Sequence, residues 1–299
     1  MIEINNLVKN FGEFTALDSI SFKVESGSIF GLIGSNGAGK STLLRTICGV
    51  YKADGGKVIV DGMETFENSD IKDDIFFISD FPYFLPQTTI NETALVYQSI
   101  YKKWDKATFE YLCTVFPLDR KQKIHNMSKG MQRQAALILA LSTKPRVLLL
   151  DEIFDGLDPV IRQLLKQIIS EEVINSNLTV LIASHNLREL EDFCDHIGLL
   201  HKGGILFEQE LDSLKLGIHK VQAAFKPLPR ADEFEVFDIV KKETRGSLVT
   251  FVARGTHDEI LEKLNVMNPV FSEIIPLSLE EVFISEMEAA GYDLNNIIG

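Results

Sequence analysis

The pattern of apolar and polar residues predicts a parallel β-sheet flanked by helices. Three short runs are apolar throughout, at residues 29–33, 147–150 and 178–183, which is typical of strands buried on both faces of a sheet. Between the second and third runs, apolar residues recur at helical spacing from residue 159 to residue 174. This succession of strand, helix and strand predicts an α/β fold.

Further patterns predict additions to this sheet. Apolar and polar residues alternate within residues 2–24, and a hairpin follows at residues 54–62, which predicts strands joined by tight turns. From residue 88 to residue 141 the apolar residues recur at helical spacing, and we place a helical subdomain at about residues 85–142. A strand pair around Gly203 closes the first domain, which we place at residues 1–217.

The remainder of the chain has a different character. Strand-like segments alternate there with two helices, and each helix begins with a capping box, Thr256 with Glu259 and Ser278 with Glu281. The strand-like segments are residues 221–225, 234–240 and 248–252. We therefore predict a small α+β domain at residues 218–299.

Composition narrows the setting of the protein. The 299 residues include 30 Lys and Arg against 43 Asp and Glu, and the formal charge of −13 opposes a broad nucleic-acid footprint. Three cysteines lie far apart, at Cys48, Cys113 and Cys194, which favours a reducing compartment. No apolar stretch approaches the roughly 18 residues that span a bilayer, and the first residues carry no basic n-region. We expect a cytoplasmic protein.

The segment after the first apolar run has the spacing of a phosphate-binding loop. It reads Gly34-Ser35-Asn36-Gly37-Ala38-Gly39-Lys40-Ser41, and residues 40–48 then predict a helix that ends before Gly49. Backbone N–H groups of such a loop close around a polyphosphate, which side chains at the glycines would block. The helix N-terminus adds the positive end of its dipole. We predict a nucleotide site, which by itself suits a kinase or a GTPase equally well.

Acidic residues and a histidine follow the two later apolar runs. Asp151 comes directly after residues 147–150, where it can hold Mg²⁺ through water, and Glu152 can orient or deprotonate an attacking water. His185 follows the run at 178–183, at the sheet edge where ligands of open parallel sheets bind. The histidine can donate a hydrogen bond to a γ-phosphate, although a lone histidine is more often structural.

Two further segments lie at the starts of predicted helices. Ser128 is a good N-cap for the helix that continues through residues 135–139, and Gly130 lets the backbone approach a ligand closely. A tight turn at residues 155–159 leads into the helix after the acidic pair. Neither segment alone is specific, because capped helix starts are common.

Together and in this order, the five motifs resemble the ATP-binding cassette (ABC) family over residues 1–215, and specifically a transporter ATPase subunit. The resemblance implies a P-loop NTPase cassette with a mixed sheet core, an antiparallel β subdomain and a helical subdomain. It implies ATP and Mg²⁺ as ligands and Glu152, His185 and Lys40 as catalytic residues. Ser41 and Asp151 would hold the metal. The implied nucleotide-binding residues are Phe11 on the adenine, Gly34, Ser35, Asn36, Gly37, Ala38, Gly39, Lys40, Ser41 and Thr42 in the Walker A loop, Ser128 and Gly130 in the signature motif, and Asp158 in the D-loop.

The chain departs from the family pattern at two places. Asp80 occupies the position of the usual Q-loop glutamine, and its carboxylate oxygen is the third candidate for contact with Mg²⁺ or water. In the signature motif, Lys129 replaces a usual glycine and Met131 a usual glutamine, whereas Ser128 and Gly130 remain. Because Lys40, Asp151, Glu152 and His185 are intact, we interpret the chain as a variant ATPase and not as a degenerate one.

The family resemblance also implies partners. Each ATP would lie between the Walker A loop of one subunit and the signature helix of a second, in a head-to-tail homodimer or heterodimer. The ATPase subunit would act at the cytoplasmic face of the membrane, on a separately encoded transmembrane subunit. Aromatic residues around Asp80 fall where the family receives a coupling helix of that subunit, and core packing explains them equally well. These residues are Phe76, Phe77, Phe81, Tyr83 and Phe84.

The expected function is therefore ATP hydrolysis coupled to transport. The ending at residues 277–283 resembles exporter-type subunits and favours export of peptides, lipids or drugs, with peptides first. A soluble ABC ATPase acting on ribosomes or DNA is the alternative, which the single Walker A motif and the acidic charge oppose. A regulatory subunit with little turnover is a third possibility, and Glu152 opposes it. A metal site at Cys194, His196 and His201 is disfavoured because no fourth ligand lies nearby.

Overall fold

A computed structural model describes residues 1–289, and the chain divides into two compact units, Met1–Glu208 and Gln209–Gly299. The strands of both units are, in chain order, β1 Ile2–Phe11, β2 Phe14–Val24, β3 Ile29–Ile33, β4 Gly55–Val60, β5 Met63–Glu64, β6 Ile75–Ile78, β7 Val147–Asp151, β8 Thr179–Ser184, β9 His196–His201, β10 Gly204–Glu210, β11 Ile218–Ala224, β12 Asp238–Arg245, β13 Leu248–Arg254 and β14 Phe271–Pro276. The helices are α1 Lys40–Ile47, α2 Ser69–Lys72, α3 Ile90–Ile100, α4 Lys106–Val115, α5 Lys129–Ser142, α6 Pro159–Ser176, α7 Leu187–Leu190, α8 Leu211–Leu216, α9 His257–Val266 and α10 Leu279–Ala289.

The largest sheet has six strands in the order β10-β9-β3-β8-β7-β6, and the pairs that join β9, β3, β8, β7 and β6 are parallel. Every residue of β3, β7 and β8 is buried, as the uninterrupted apolar runs predict. The register pairs Ile33 with Ser184 and Asp151 with Ala183. The carboxyl ends of these three strands therefore lie side by side, and the segments that follow them meet at one edge.

A second, antiparallel sheet has the order β2-β1-β4-β5. Its apolar residues share one core with α1 and the six-stranded sheet, and the rings of Phe22 and Phe30 stack across this core at 5.2 Å between centroids. The predicted strands within residues 2–24 and the predicted hairpin at 54–62 are confirmed by β1, β2, β4 and β5. This packing fixes α1 directly above the parallel sheet.

The helices α3, α4 and α5 lie within the predicted helical insert. Thr89 and Glu92 form a capping box at the start of α3, and Asp105 caps α4. Only the first turn of the helix α5 reaches solvent, since its residues from Arg133 to Ser142 are all buried. Ser128 caps α5 by accepting a hydrogen bond from the Met131 N–H at 3.2 Å, as predicted.

The second unit contains the four-stranded sheet β12-β13-β11-β14, with α9 packed on one face. Both predicted capping boxes form, at Thr256 with Glu259 and at Ser278 with Glu281. The predicted strand at residues 234–240 is wrong in its first half, and the sequence patterns missed β14. Residues Ala231–Phe234 form a 3-10 turn, because Phe234 and Phe237, three residues apart, both reach the ring of Phe251.

Candidate nucleotide site

The predicted phosphate-binding loop joins the end of β3 to the start of α1. The helix covers Lys40–Ile47 and is followed by Gly49 at φ 71°, which confirms its predicted end. Gly39 is the N-cap with φ 110°, in the left-handed region that glycine tolerates best, and it has no side chain to cap the helix. The first N–H groups of α1 therefore lack a side-chain cap, and an anion at this end would meet both these donors and the helix dipole.

The glycines of this loop are fixed mainly by the protein itself. A Cβ atom at Gly34 would lie 2.5 Å from the carbonyl oxygen of Leu200, and one at Gly39 would lie 2.7 Å from that of Ala16. Gly37, at φ 81°, has no atom within 4 Å of its built Cβ, and it shares the exposed tip of the loop with Ser35 and Asn36. Two of the glycines therefore also allow neighbouring backbone to approach the loop, which the sequence pattern did not predict.

Lys40 is buried at the centre of the site. Its Nζ donates to the carbonyl oxygens of Gly34 at 2.6 Å and Ser35 at 3.2 Å, and it lies 3.4 Å from Oε1 of Glu152. Only 6% of the lysine side chain is exposed, so its charge depends on these oxygens for solvation. Oxygens of a bound phosphate would take the same role.

Glu152 joins the lysine to the histidine at the end of β8. The Nδ1 atom of His185 lies 3.0 Å from Oε2 of Glu152, and the backbone N–H of His185 donates to the same oxygen at 3.3 Å. Glu152 has φ 51°, an unfavourable conformation for a residue with a side chain. Its N–H donates to the carbonyl of Ala183 at 2.9 Å, which holds this strained residue against β8.

Asp151 and Ser41 form the part of the site that fits a divalent cation. Asp151 is 1% exposed, and its Oδ1 has no hydrogen-bond partner among the described residues. Burial raises the pKa of the Asp151 carboxyl, and Glu152 and Asp80 raise it further, while the nearby Ser41 hydroxyl and Arg45 lower it. An orphaned buried carboxylate oxygen beside a hydroxyl suits Mg²⁺, which prefers oxygen ligands.

Asp80 has a partner other than a cation. Its carboxylate forms an ion pair with the guanidinium of Arg133, and its carbonyl oxygen accepts from the same group at 3.2 Å. The role of Asp80 as a metal ligand stays a prediction. Sequence reasoning missed Arg133 itself, although its position just before the apolar residues 135–141 of the same helix was a usable signal.

The predicted signature and D-loop residues lie against each other within the chain. A Cβ atom at Gly130 would lie 3.1 Å from Leu157 and 3.4 Å from the carbonyl of Gly156, so this glycine permits contact with the turn after β7. Asp158 caps α6 by accepting from the N–H groups of Val160 and Ile161, both at 3.0 Å. The structure thus brings Lys40, Asp151, Glu152 and His185 together, while Gly130 lies against the turn after β7, and Ser128 and Asp158 cap the helices α5 and α6.

Phe11, the predicted adenine-stacking residue, ends β1 with 45% of its side chain exposed, and its ring packs edge-on against Tyr51 at 5.4 Å between centroids.

No group of three His, Cys, Asp or Glu side chains that could hold a metal ion is found among the described residues, and this includes Cys194, His196 and His201. Within residues 1–289, no helix combines the length and apolar character needed to cross a membrane.

Comparisons with known proteins agree with this arrangement. A family model described as ABC transporter matches residues 17–155. The chain is 31% identical over 286 residues to the ABC transporter ATP-binding protein YtrB of Bacillus subtilis strain 168, covering 96% of this chain and 98% of that protein. It is 31% identical to the bacitracin transport ATP-binding protein BcrA of Bacillus licheniformis, covering 72% of this chain and 71% of that protein. A solved ATP-binding subunit of an ABC transporter superposes with a TM-score of 0.67 at 25% identity, covering 72% of this chain and 92% of its own.

Proposed function

This chain belongs to the family of ABC transporter ATP-binding proteins and is an ATPase of that family, and we propose that it powers a separately encoded membrane subunit by dimerising around ATP. The observation that carries the proposal is the contact of Lys40, Glu152 and His185 at the mouth of the phosphate-binding loop, beside the buried Asp151. A chain that only bound nucleotide would not need a carboxylate oriented by a histidine at this point.

The contacts among Lys40, Glu152 and His185 support a separate role for each residue during hydrolysis. Lys40 exchanges the carbonyl oxygens of Gly34 and Ser35 for oxygens of the β- and γ-phosphates, as the loop closes on ATP. Glu152, released from the lysine, accepts the proton of the attacking water, and His185 holds its carboxylate in place. Ser41 and Asp151 would hold Mg²⁺, which supplies charge that neutralises the phosphate oxygens.

The exposed Phe11 supports an adenine-stacking role, which gives a first prediction. Replacing Phe11 by alanine weakens ATP binding about tenfold, because stacking of a base on an aromatic ring contributes about 1–3 kcal/mol. Titration calorimetry with ATP measures the change. The matched control is Phe14→Ala, since Phe14 pairs with Phe11 across the β1–β2 hairpin and is 63% exposed. Equal losses at both positions would contradict the assignment of the base to Phe11.

An aromatic cleft of about 220 Å³ supports docking of the membrane subunit. It lies between β6, the loop that follows, and α3, and Phe76, Tyr83, Tyr97 and Tyr101 are among its lining residues. The rings of Tyr97 and Tyr101 lie 5.4 Å apart, and burial raises the pKa of Tyr97 to about 12. Tyr83 is 78% exposed at the rim, so an apolar segment of a partner would cover it.

Affinity purification from the protein's own solubilised membranes tests the proposed function. We expect a stoichiometric polytopic membrane protein in the purified complex, and we expect Tyr83→Asp to reduce its recovery several-fold because a charge would enter the apolar contact. The matched control is Tyr111→Asp on α4, where the side chain is 55% exposed. ATP binding serves as the folding control for both variants.

The outcome also decides between classes of function. Recovery of ribosomal proteins in place of a membrane protein would favour the soluble alternative, and equal recovery with both tyrosine variants would remove the cleft from the interface. The relative named for bacitracin transport supports peptide antibiotics as the first substrate class to test. The resemblance of residues 277–283 to exporter-type subunits supports export as the direction. We place the complex at the cytoplasmic face of the membrane and expect no nucleic-acid partner.

A further inference from the structure

A single buried guanidinium connects three segments of the first unit. Arg133 lies one turn into α5 with only 3% of its side chain exposed. It donates to the carboxylate and carbonyl of Asp80 in the loop after β6, and to the carbonyl of Asp155 in the turn after β7. The Asp155 carboxylate is 3.9 Å away. We infer that Arg133 is a positioning residue that sets the signature end of α5 relative to the turn carrying Glu152.

The connection continues from Arg133 to the predicted general base. The N–H of Asp155 donates to the carbonyl of Glu152 at 3.2 Å, so the turn held by Arg133 begins at Glu152 itself. On the opposite side, Gly130 packs against Gly156 and Leu157, one helical turn before Arg133. The guanidinium therefore lies between the start of α5 and the strained residue that faces Lys40.

Asp80 is the counter-ion that makes this arrangement stable. If Asp80 is neutralised, the buried guanidinium keeps only the distant carboxylate of Asp155, which is 62% exposed. Most of its charge compensation is then lost, which is more costly than removing both charges together. Arg133 is already short of hydrogen-bond partners, because its Nε has none among the described residues.

A second contact connects the loop after β6 to α5. The Nζ atom of Lys129 lies 4.9 Å from the ring centre of Phe81, within the range of a cation–π interaction. Two of the three residues that depart from the family pattern, Asp80 and Lys129, thus connect the loop after β6 to α5.

The inference rests on the proposed function, because the signature end of α5 acts on the ATP of a second subunit. Loss of the contacts of Arg133 with Asp80 and Asp155 leaves the phosphate-binding loop intact. Arg133 does not contact residues 34–42 in the described hydrogen bonds and ion pairs. The same loss moves Ser128 and Gly130 away from the ATP that is bound to the second subunit of the proposed dimer. We therefore expect normal binding of ATP to one subunit and weaker closure of two.

A double-mutant cycle in a Glu152→Gln background tests this separation. Asp80→Asn weakens ATP-induced dimerisation about tenfold or more at saturating Mg²⁺, because the buried guanidinium keeps only the carboxylate of Asp155 at 3.9 Å. Arg133→Gln has a smaller effect, and the double variant recovers most of the loss of Asp80→Asn because no charge is left unpaired. Sedimentation velocity measures dimerisation, and fluorescent ATP measures binding. The control is Arg120→Gln, which breaks an exposed ion pair to Glu110 in the same subdomain.

Several outcomes would overturn the inference. If Asp80→Asn lowers the melting temperature but leaves dimerisation unchanged, Arg133 is only structural. Additive losses without recovery in the double variant would also exclude the proposed charge compensation. If the Glu152→Gln parent does not dimerise with ATP, the proposed dimer is wrong, and kcat in the unmutated background decides instead. There we expect Asp80→Asn to lower kcat about tenfold at unchanged KM, with recovery in the double variant, and equal kcat values would refute the inference.

Discussion

Replacing Glu152 by glutamine lowers ATP turnover by about 10²- to 10⁴-fold, the range that a positioned general base contributes. The substitution keeps the size and polarity of the side chain but removes the proposed proton acceptor. Glutamine cannot carry the negative charge that lies 3.4 Å from Lys40 Nζ and 3.0 Å from His185 Nδ1. We expect ATP binding to be retained, since the phosphate-binding loop is unchanged, and the bound ATP to hold together the two subunits of the proposed dimer. Phosphate release at saturating ATP measures the loss.

The chain offers a closely matched control for this variant. Glu67 has φ 52°, nearly the same backbone conformation as Glu152 at 51°, but its side chain is exposed and outside the site. Glu67→Gln therefore reports any effect of the substitution on a left-handed backbone position. Turnover that is unaffected by Glu152→Gln would assign the base to another residue, and equal losses in the two variants would mean a folding defect.

Replacing Asp151 by asparagine lowers Mg²⁺-dependent hydrolysis by about 10²- to 10³-fold, as expected when one electrostatic stabiliser of a transition state is lost. The variant requires more Mg²⁺ for half-maximal rate, because the introduced amide would offer a neutral oxygen in place of the orphaned Oδ1 of a carboxylate. A Mg²⁺ titration of the ATPase rate at constant ATP measures both effects. The control is Asp18→Asn, which removes an exposed carboxylate on β2.

The Asp151→Asn variant, which lowers activity, is expected to raise the stability of the Mg²⁺-free protein. Burial raises the pKa of Asp151, so the folded protein binds this proton more tightly than the unfolded chain does. The ionised carboxylate therefore destabilises the Mg²⁺-free fold at neutral pH, and this cost disappears as the pH falls below the unfolded pKa of about 3.9. We expect Asp151→Asn to melt at a higher temperature than the wild type at pH 7.5 without Mg²⁺. The difference narrows as the pH falls through the raised pKa of Asp151 in the folded protein, and a lower melting temperature at pH 7.5 would contradict the assigned burial cost.

Local patterns in the sequence were sufficient for the central sheet and its flanking helices. The strands β3, β7 and β8 are apolar throughout because they are buried on both faces, and this character can be recognised without knowing their neighbours. The helix starts at Ser128, Thr256 and Ser278 depend on hydrogen bonds within three residues, so the capping boxes and the N-cap were also predictable.

The sequence also determined the chemistry of the site. The lysine, the two carboxylates and the histidine follow three buried strands whose order in the sheet is β3-β8-β7. Since carboxyl ends of parallel strands share one edge, the motif order along the chain already implied that these groups meet. The tertiary structure was needed for their contacts, including the bond from His185 to Glu152 and the hydrogen bonds of Lys40 to the loop carbonyls.

Only the tertiary structure decided what the unusual residues do. Asp80 and Arg133 are 53 positions apart, and no spacing rule connects a loop residue after one strand with a side chain inside a distant helix. The turn at Phe234 likewise depends on Phe251 from another strand. Periodicity and capping are properties of neighbours in sequence, so the sequence alone determined most of the elements and the order of the proposed catalytic residues along the chain. The pairing of buried charges and aromatic rings depends on how those elements pack, because the free energy of a buried charge is set by the groups that surround it in space.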